Sequence, residues 1–544
     1  MGRLQPVISR RELLKGLLAV GAGAIGTALG VQWWPRQRPI EAQLKGPSAD
    51  RGHRLRTGES FPPPTRTRSV AVAIVGGGVA GLSAGWWLQR QGLTDLEILE
   101  LEPEVGGNSR SGRNAVSAYP LGAHYLPLPN PDNAPLLTLL AELGVITVYD
   151  GVHPPVYREE YLCHEPDERL YRNGIWQSGL VPRLGLTAAE KEQFARFFGF
   201  VESLRHTRGN DGKYVFGIPL DSSSTDPQYR AYDSISFGQW LTDQGYTAPA
   251  LLWYLEYCCR DDYGATLADT SAWAGLHYHA SRRAQAANAD PDTVLTWPQG
   301  NGWLIERLEE RLSGYLSPNQ LVHSVAQTAG GVELLCLDCI TQETVRILAQ
   351  AAIVAVPLSV ACRICTNYPA GAPRQVRQTP WFVANVTISR APQGAGEPLA
   401  WDNVSYHSPS LGYVVATHQT LGQYAGPTVL TYYLPLTEQP PTTVRAWAQA
   451  QPLAYWQARV LTDLEQIHPG IGQTVTAFEG WLWGHGMVSP TPGYIWGPER
   501  QVLIRHTGSI QFAHTDCSGI SIFEEGFAQG LRAAQHVMRY ANPA

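Results

Sequence analysis

The sequence predicts an α/β protein with a second, α+β part. Residues 70–75 and 351–357 are apolar and rich in β-branched residues or alanine, which is typical of strands buried on both faces of a parallel sheet. Between them, residues 134–295 follow a helical pattern without alternating strands. A chain of 544 residues is long enough for two to four domains. These features predict a parallel sheet assembled from distant segments, with helical and antiparallel parts inserted between them.

The composition limits the classes of partner. The net charge is −6, charged residues make up 16% of the chain, and no long basic run follows the N-terminal region. Nucleic-acid-binding proteins usually carry a basic patch or stripe. We therefore expect a small-molecule substrate and no nucleic acid.

The N-terminal residues have the pattern of an export signal. Arg10 and Arg11 lie in SRRELLK, which matches the twin-arginine motif, and the uncharged Gly/Ala/Leu-rich stretch 16–34 follows. Residues 1–34 are therefore predicted to be a signal, or an anchor if they are not cleaved, that engages the twin-arginine translocase. The expected location is the periplasm or the outer face of the inner membrane. Residues 35–68, rich in Pro, Arg and Gly, are predicted to be a linker.

A glycine motif follows the first predicted strand. Gly76, Gly78 and Gly81 fit G-x-G-x-x-G at a strand-to-helix junction. In this motif the first glycine permits a tight turn, the second lets a pyrophosphate approach the backbone, and the third lets the helix pack closely. The helix N-terminus offers free N–H groups to the phosphates. Glu100, at the end of the next predicted strand, has the spacing of a ribose-binding carboxylate. The stretch therefore predicts a dinucleotide site of Rossmann type.

The cysteines do not predict a metal site. Two C-x-x-C pairs, Cys336 with Cys339 and Cys362 with Cys365, have the local spacing of zinc ligands. The first pair lies in a strand pattern, where residues three apart point to opposite faces. We expect buried thiols, with a disulfide in an oxidising compartment as the alternative.

Two further blocks carry a resemblance to a known family. Glu100 stands six residues before Gly106-Gly107, and the C-terminal sequence reads FAHTD, then FEEGFAQGLRAA. Together with the glycine motif, these blocks resemble the FAD-dependent amine oxidase superfamily, which includes monoamine and polyamine oxidases, L-amino-acid oxidases and phytoene-desaturase-like enzymes. The resemblance implies FAD as cofactor. It also implies an FAD-binding domain of residues 70–127, 296–364 and 497–544, and a substrate domain of residues 128–295 and 365–496 with a mostly antiparallel sheet and a helical insertion.

The resemblance also implies which residues contact the cofactor. Val325 would meet the adenine through its backbone, Asp516 would lie near the ribityl and pyrophosphate groups, and the helix that begins near Glu525 would point its dipole at the flavin. The implied cofactor-binding residues are Gly76, Gly78, Gly81, Glu100, Gly106, Gly107, Ser109, Val325, Asp516, Glu525 and Gly526.

The implied catalytic positions depart from the family pattern. Amine oxidases typically carry a Lys near flavin N5, and Asn385 (or Ala384) stands at the corresponding place. The C-terminal aromatic residue over the flavin is Phe523 instead of Tyr, and His124 is either a flavin-facing residue or a core histidine. The family's Arg after Gly-Gly is Asn108 here. Without the Lys, the electron acceptor is oxygen or a quinone-type carrier.

Three functions remain open at this point. The first is hydride transfer from a C–N bond of an amine or amino acid to flavin N5. The second is desaturation or isomerisation of an apolar substrate, and the third is a non-catalytic envelope flavoprotein. Asp261 and Asp262 either attract a cationic substrate or serve in helix capping or pairing with Arg260.

Overall fold

The computed structural model describes residues 40–420 and 426–541, which form part of one compact unit that begins at Glu41. The predicted export signal, residues 1–34, lies outside the described residues. Among the described residues, no helix has both the length and the apolar character needed to cross a membrane.

The strands are numbered in chain order. They are β1 (Glu41–Lys45), β2 (Pro64–Val75), β3 (Leu96–Leu99), β4 (Ser111–Arg113), β5 (Ala118–Pro120), β6 (Tyr125–Pro127), β7 (Ile146–Val148), β8 (Val156–Tyr157), β9 (Glu168–Arg172), β10 (Ile175–Ser178), β11 (Val294–Thr296), β12 (Leu316–Ser317), β13 (Gln320–Thr328), β14 (Gly331–Asp338), β15 (Thr344–Val354), β16 (Gln378–Ile388), β17 (Asp402–Ser405), β18 (Tyr413–Val415), β19 (Thr428–Pro435), β20 (Val475–Val488) and β21 (Ile510–Phe512).

The helices are numbered in the same way. They are α1 (Ala49–His53), α2 (Val79–Arg90), α3 (Ala134–Glu142), α4 (Ala188–His206), α5 (Pro227–Arg230), α6 (Phe237–Asp243), α7 (Pro249–Tyr263), α8 (Ala272–Ala280), α9 (Gly302–Leu312), α10 (Leu358–Ile364), α11 (Pro441–Ala450), α12 (Leu453–Ile467), α13 (Pro498–Ile504) and α14 (Phe523–Ala541).

A seven-stranded sheet contains the predicted parallel strands. Its order is β12-β3-β2-β15-β14-β13, and β21 also pairs with β15. The central strands β2 and β15 run parallel to each other, as do β2 and β3, whereas β13 and β14 form an antiparallel edge. Val72 and Ile74 pack with helices α2, α9 and α14, and Ala73 and Val75 pack on the other face. Burial on both faces explains why these strands are apolar throughout.

A second sheet has eight strands in the order β1-β20-β16-β19-β18-β17-β9-β10. Its pairs are antiparallel except β1 with β20 and β17 with β9. Strand β16 lies between β19 and β20 and is buried along its whole length, because Phe382 on one face stacks on Trp456 of α12 and Trp381 and Val383 on the other face belong to a buried cluster. The helices α4–α8 form a cluster of their own with an aromatic-rich core. The fold is therefore mixed α/β, as predicted, while the proposed domain boundaries stay a prediction.

Two local predictions differ from the structure. The predicted linker, residues 35–68, contains β1 and α1, and β1 pairs with residues 477–481 of β20, a strand that the sequence pattern did not reveal. The sequence pattern over 443–467 predicts one helix, but the structure divides this region between α11 and α12. Gln451 is extended there (φ −78°, ψ 133°), because the residue before Pro452 disfavours the helical region.

Candidate active site and cofactor cavity

A cavity of about 840 Å³ is lined by residues of both sheets and of the helical cluster. Gly76, Gly78 and Glu100 line it on the seven-stranded sheet, and Tyr433 and Trp483 line it on the eight-stranded sheet. Most of the predicted cofactor residues line this cavity. They are Gly76, Gly78, Glu100, Gly106, Gly107, Ser109, Asp516 and Gly526.

The glycine motif has the geometry that its spacing predicts. Gly76 has φ +104°, and a Cβ there would lie 2.5 Å from the Ala355 carbonyl oxygen. A Cβ at Gly81 would lie 1.9 Å from the Gly76 oxygen, so Gly81 permits close packing of α2 behind the turn. At Gly78, by contrast, the nearest atom to an added Cβ is the Gly107 Cα at 4.0 Å. Gly78 and Gly107 therefore leave an open backbone cradle beside the α2 N-terminus, which fits a diphosphate.

Glu100 is positioned by the backbone around it. Its Oε2 accepts a hydrogen bond from Gly77 N at 2.6 Å, and its Oε1 accepts one from Glu102 N at 2.8 Å. Burial raises the pKa of Glu100, and these two backbone hydrogen bonds act in the opposite direction. The carboxylate still has lone pairs for further donors. This arrangement fits the hydroxyl groups of a ribose.

Asp516 is a second anchored carboxylate in the cavity wall. It accepts hydrogen bonds from Leu358 N at 2.9 Å and from Gln378 Nε2 at 3.0 Å. Burial alone would raise its pKa, but the His514 ring and these hydrogen bonds hold the pKa below its ordinary value. Asp516 is therefore a fixed anion at the end of β21, beside the α10 N-terminus.

Val325 does not lie where the resemblance placed it. The residue is fully buried, and its carbonyl oxygen accepts a hydrogen bond from Thr366 N at 3.0 Å. The cavity is lined by residues 320–322 instead. The pairing of β13 with β14 shifts register between Val322 and Ser324, and such an irregularity changes which backbone groups reach a given site. Val322, and not Val325, is therefore the valine of β13 that lines the cavity.

Glu525 also lies outside the cavity lining, whereas Glu524 and Gly526 line it. The Glu525 carboxylate accepts a hydrogen bond from Leu220 N at 2.5 Å and ties α14 to the helical cluster. Burial raises its pKa to about 8, and the neighbouring Asp221 contributes. Successive residues of a helix point about 100° apart, which explains why its neighbours reach the cavity and Glu525 does not.

Asn385 lies two residues beyond the cavity. Its face of β16 is the same as that of Trp381 and Val383, which do line the cavity, but Asn385 borders a second, smaller cavity. The side chain donates to the Pro120 carbonyl oxygen at 3.2 Å and accepts from Thr431 Oγ1 at 2.7 Å. The amide is therefore engaged in packing β16 against β5 and β19, and the cavity position on this face belongs to Val383.

Phe523 and His124 both line the cavity. Phe523 is the first residue of α14 and is 7% exposed. His124 stacks on Tyr433 and lies 5.6 Å from Trp401, measured between ring centroids. Burial lowers the pKa of His124 to about 3, so the imidazole is neutral at pH 7. These residues form an aromatic, uncharged part of the wall.

A group of acids lies beside this aromatic wall. Asp261 and Asp262, in the last turn of α7, line the cavity. Burial raises the pKa of both, and their mutual repulsion adds to the rise for Asp261. A helix C-terminus disfavours negative charge, so helix capping does not explain them. Arg260 donates to the Pro409 carbonyl oxygen instead of pairing with them.

Two acids that the sequence analysis did not single out stand behind Asp261. Asp402 on β17 is directly opposite Glu168 on β9, and repulsion by Glu168 adds to the rise in the pKa values of both Asp261 and Asp402. Like charges opposite each other destabilise a sheet. Burial raises the pKa of Glu168 to about 7. The two acids are far apart in the sequence, and only the parallel pairing of β9 with β17 brings them together. No local sequence pattern therefore predicts the acidic group.

One cation is placed among these acids. Arg282 lines the cavity and pairs with Glu524 at 2.8 Å. Its charge also lowers the pKa of Asp262. Within the described part of the chain, no ion pair neutralises Asp261. The wall therefore carries more acidic than basic groups close to the aromatic residues, and burial among like groups favours the neutral forms of these acids while the cavity is empty.

Comparisons with known proteins give the cofactor and the reaction class. The family of flavin containing amine oxidoreductases matches residues 79–538. AofH, a Mycobacterium tuberculosis protein whose name places it among the flavin-containing monoamine oxidases, is 24% identical over 506 residues, covering 86% of this chain and 96% of AofH. Among solved structures, putrescine oxidase bound to putrescine has a TM-score of 0.60 at 17% identity and covers 87% of this chain and 99% of its own.

Cyclohexylamine oxidase from Brevibacterium oxydans has a similar relationship, with a TM-score of 0.61 at 15% identity and coverage of 88% of this chain and 99% of its own. The glycine cradle, Glu100 and Asp516 are residues that fit FAD, and FAD is the cofactor of this family. The protein is therefore an FAD-dependent oxidoreductase, and the chain belongs to the flavin containing amine oxidoreductase family.

Proposed function

We propose that this protein oxidises a cationic amine and is exported by the twin-arginine pathway. The observation that carries the substrate class is the acidic group at Asp261, with Asp402 and Glu168 behind it. A cation bound beside these acids lowers their pKa values and favours their ionised forms, whereas a bound carboxylate would add to the repulsion, so the site suits an ammonium group. Amines are also the substrates in the names of putrescine oxidase and cyclohexylamine oxidase.

Different residues of the cavity wall bind different parts of the amine. Asp261 holds the ammonium group, and the stacked rings of His124 and Tyr433 cover the apolar part of the amine. His124 is neutral and therefore does not repel the cation. When bound, FAD would supply the electron sink for a hydride from the carbon next to nitrogen, after the ammonium group has transferred one proton to the ionised Asp261 carboxylate.

The electron acceptor of this reaction is oxygen or a quinone-type carrier. Val383 lies on the cavity face of β16 that Asn385 shares, and neither residue offers a cation there. A quinone is a suitable acceptor for an enzyme outside the cytoplasm if oxygen reacts slowly. Turnover with oxygen alone and with added quinone under anaerobic conditions separates the two.

The substrate class is tested by anaerobic reduction of the purified holoenzyme. Loss of flavin absorbance is followed with a panel of primary monoamines and diamines, neutral and acidic amino acids, and unsaturated fatty acids. We expect reduction by one or more amines and none by the acidic amino acids or fatty acids. Reduction of the flavin by a fatty acid alone would favour the desaturase or isomerase class over an amine oxidase. If no compound reduces the flavin of the holoenzyme, the proposal of an amine oxidase is contradicted.

Export is tested separately, because it rests on sequence alone. We expect the chain with Arg10→Lys and Arg11→Lys to accumulate in the cytoplasm with its FAD bound, because the translocase requires the arginine pair. Fractionation followed by flavin fluorescence measures this. Normal delivery of the double variant to the periplasm or membrane would overturn the twin-arginine assignment. The proposal of an amine substrate would not be affected.

A further inference from the structure

The segment from Glu41 to Arg56, which we call the N-terminal strap, joins the two sheets. At one end, β1 pairs with residues 477–481 at the edge of the eight-stranded sheet. Further along, Ser48 N and Oγ donate to the Glu102 carboxylate at 2.8 and 3.1 Å. Arg51 donates to the Leu101 carbonyl oxygen at 3.0 Å and to Asn319 at 2.8 Å. The strap is therefore held immediately after Glu100, the ribose-binding acid.

The strap forms part of the wall of the cofactor cavity. Ser48, Gly52, His53 and Arg56 line the same cavity as Gly78 and its neighbours. Arg54 belongs to the same turn as Arg56 but pairs with Glu59 at 2.6 Å and lies over the Phe61 ring. Arg54 and Arg56, two residues apart in the same turn, thus have different surroundings, and of the two only Arg56 lines the cavity.

Three more groups that can carry positive charge lie near Arg56. His53 is in the strap, Arg445 is on α11 and His485 is on β20, and all line the cavity. Arg445 donates to the Gln378 carbonyl oxygen at 2.9 Å, and His485 Nδ1 is 3.0 Å from Gln378 Oε1. The four groups come from three elements that only the folded chain brings together.

These groups repel one another. Burial lowers the pKa of Arg445, and the charge of Arg56 lowers it further. Burial also lowers the pKa of His485 to about 4, and Arg445 and Arg56 act in the same direction.

Several arginines of the cavity wall have no carboxylate partner. Among the described residues, Arg110, Arg282 and Arg377 of the wall each pair with a carboxylate, whereas Arg56, Arg363 and Arg445 do not. Asp516 lies close enough to raise the pKa of His485, but its ion pair is with the His514 ring. A wall with three guanidinium groups that lack carboxylate partners is suited to a bound polyanion.

We propose that the N-terminal strap closes over bound FAD and that Arg56 and Arg445 neutralise its diphosphate. The cradle at Gly78 and Gly107 offers backbone N–H groups, and the neighbouring Asn108 side chain is neutral. Positive charge for the diphosphate therefore has to come from other elements. Guanidinium groups form strong, geometrically defined hydrogen bonds with phosphate oxygens. Arg56 and Arg445 supply that charge at the wall that the strap completes.

The test measures how fast the holoprotein releases FAD, followed as flavin fluorescence after dilution. Arg56→Gln and Arg445→Gln are each expected to raise the release rate about tenfold, since a charge-assisted hydrogen bond contributes roughly that factor. Arg54→Gln is the matched control and is expected to release FAD within about twofold of wild type, because Arg54 does not line the cavity. Arg56→Lys, which keeps the charge, is expected to recover most of the retention.

A second variant tests the strap itself. Arg51→Ala removes the hydrogen bonds to Leu101 and Asn319 and is expected to release FAD faster by about tenfold, with an unchanged far-ultraviolet dichroism spectrum. Wild-type retention in the Arg56→Gln/Arg445→Gln double variant would overturn the proposal. A thermal shift with inorganic phosphate that depends on Arg56, but without any effect on FAD release, would assign the cations to a free anion and also overturn it.

Discussion

His124 stacks on Tyr433, with ring centroids 4.4 Å apart and ring planes inclined by 27°. The Tyr433 hydroxyl also donates to the Gly122 carbonyl oxygen at 2.9 Å, which fixes the ring against the loop that carries His124. The pair therefore forms one rigid element of the cavity wall.

We expect Tyr433→Phe to lower kcat/KM by about threefold to tenfold, because loss of one buried hydrogen bond costs about 1 kcal/mol and loosens the stack. Tyr432→Phe is the matched control. Tyr432 is the next residue on β19, and its hydroxyl donates to Asp463 at 2.8 Å on the other face. Steady-state kinetics and flavin content measure both. Equal losses of kcat/KM in the two variants would contradict a role of the stack in substrate binding.

Asp261 lines the cavity and has no cationic partner among the residues that the structure describes. We expect Asp261→Asn to raise KM for a cationic amine about tenfold or more, which corresponds to about 1.4 kcal/mol of lost attraction, with a smaller change in kcat. Asp243→Asn neutralises an exposed acid on α6 and is expected to leave KM unchanged. An unchanged KM in Asp261→Asn would remove the main support for a cationic substrate.

The same acid predicts a pH dependence. Because burial and the neighbouring acids raise the pKa of Asp261, the carboxyl is neutral on the acidic side of that raised pKa and charged above it. KM for an amine that stays protonated should therefore fall as pH rises through this range, from about pH 6 to about 9. Asp261→Asn should flatten the profile. A KM that rises with pH in the wild type would contradict this assignment.

Substitutions at Gly78 and Gly81 are expected to affect different properties, namely FAD binding and folding stability. An added Cβ at Gly78 meets no protein atom closer than 4.0 Å, so Gly78→Ala should fold normally but bind FAD at least about tenfold more weakly. An added Cβ at Gly81 would overlap the Gly76 oxygen, so Gly81→Ala should lose about 3 kcal/mol of folding stability or more.

Urea unfolding and flavin titration distinguish the two variants, and Gly314→Ala, with open space around it, is the control. Tight FAD binding by Gly78→Ala would place the diphosphate elsewhere in the cavity.

Glu525 is expected to affect stability and not FAD retention. Its folded pKa is about 8, above the ordinary value of 4.5, so the folded protein binds the proton more tightly than the unfolded chain. The stabilisation is complete below the unfolded pKa and is lost as pH rises through the folded pKa. Glu525→Gln should therefore lose less free energy of unfolding between about pH 5 and about pH 8 than wild type, by on the order of 1–3 kcal/mol.

Chemical denaturation at several pH values and the ratio of flavin to protein measure both parts of this prediction. If the Glu525→Gln protein folds but loses FAD, Glu525 contributes to FAD binding and this prediction is wrong.

The sequence alone determined the dinucleotide cradle. The positions of Gly76, Gly78 and Gly81 follow from local backbone sterics, and Glu100 lies close to them because β3 pairs with β2. Steric requirements between residues close in the chain can be recognised from the spacing of a few residues in the sequence. They predicted a dinucleotide site and the parallel strands around it, whereas FAD was implied by the resemblance of further blocks to a known family.

Only the tertiary structure decided the orientations within those elements. Asn385, Val325 and Glu525 belong to the predicted strands and helix, but none of them lines the cavity. Asn385 shares the cavity face of β16 and lies two residues beyond the cavity. A register irregularity in β13 and the rotation between successive residues of α14 leave Val325 and Glu525 outside it.

The acidic group and the strap also depend on the folded chain. Asp402 meets Glu168 through the pairing of β17 with β9, and Arg56 meets Arg445 because β1 joins the edge of β20. These partners are separated by hundreds of residues, and no local pattern records the pairing. A dinucleotide cofactor was therefore predictable from spacing, whereas the charges proposed to select a substrate and to retain the cofactor arise from contacts between distant segments.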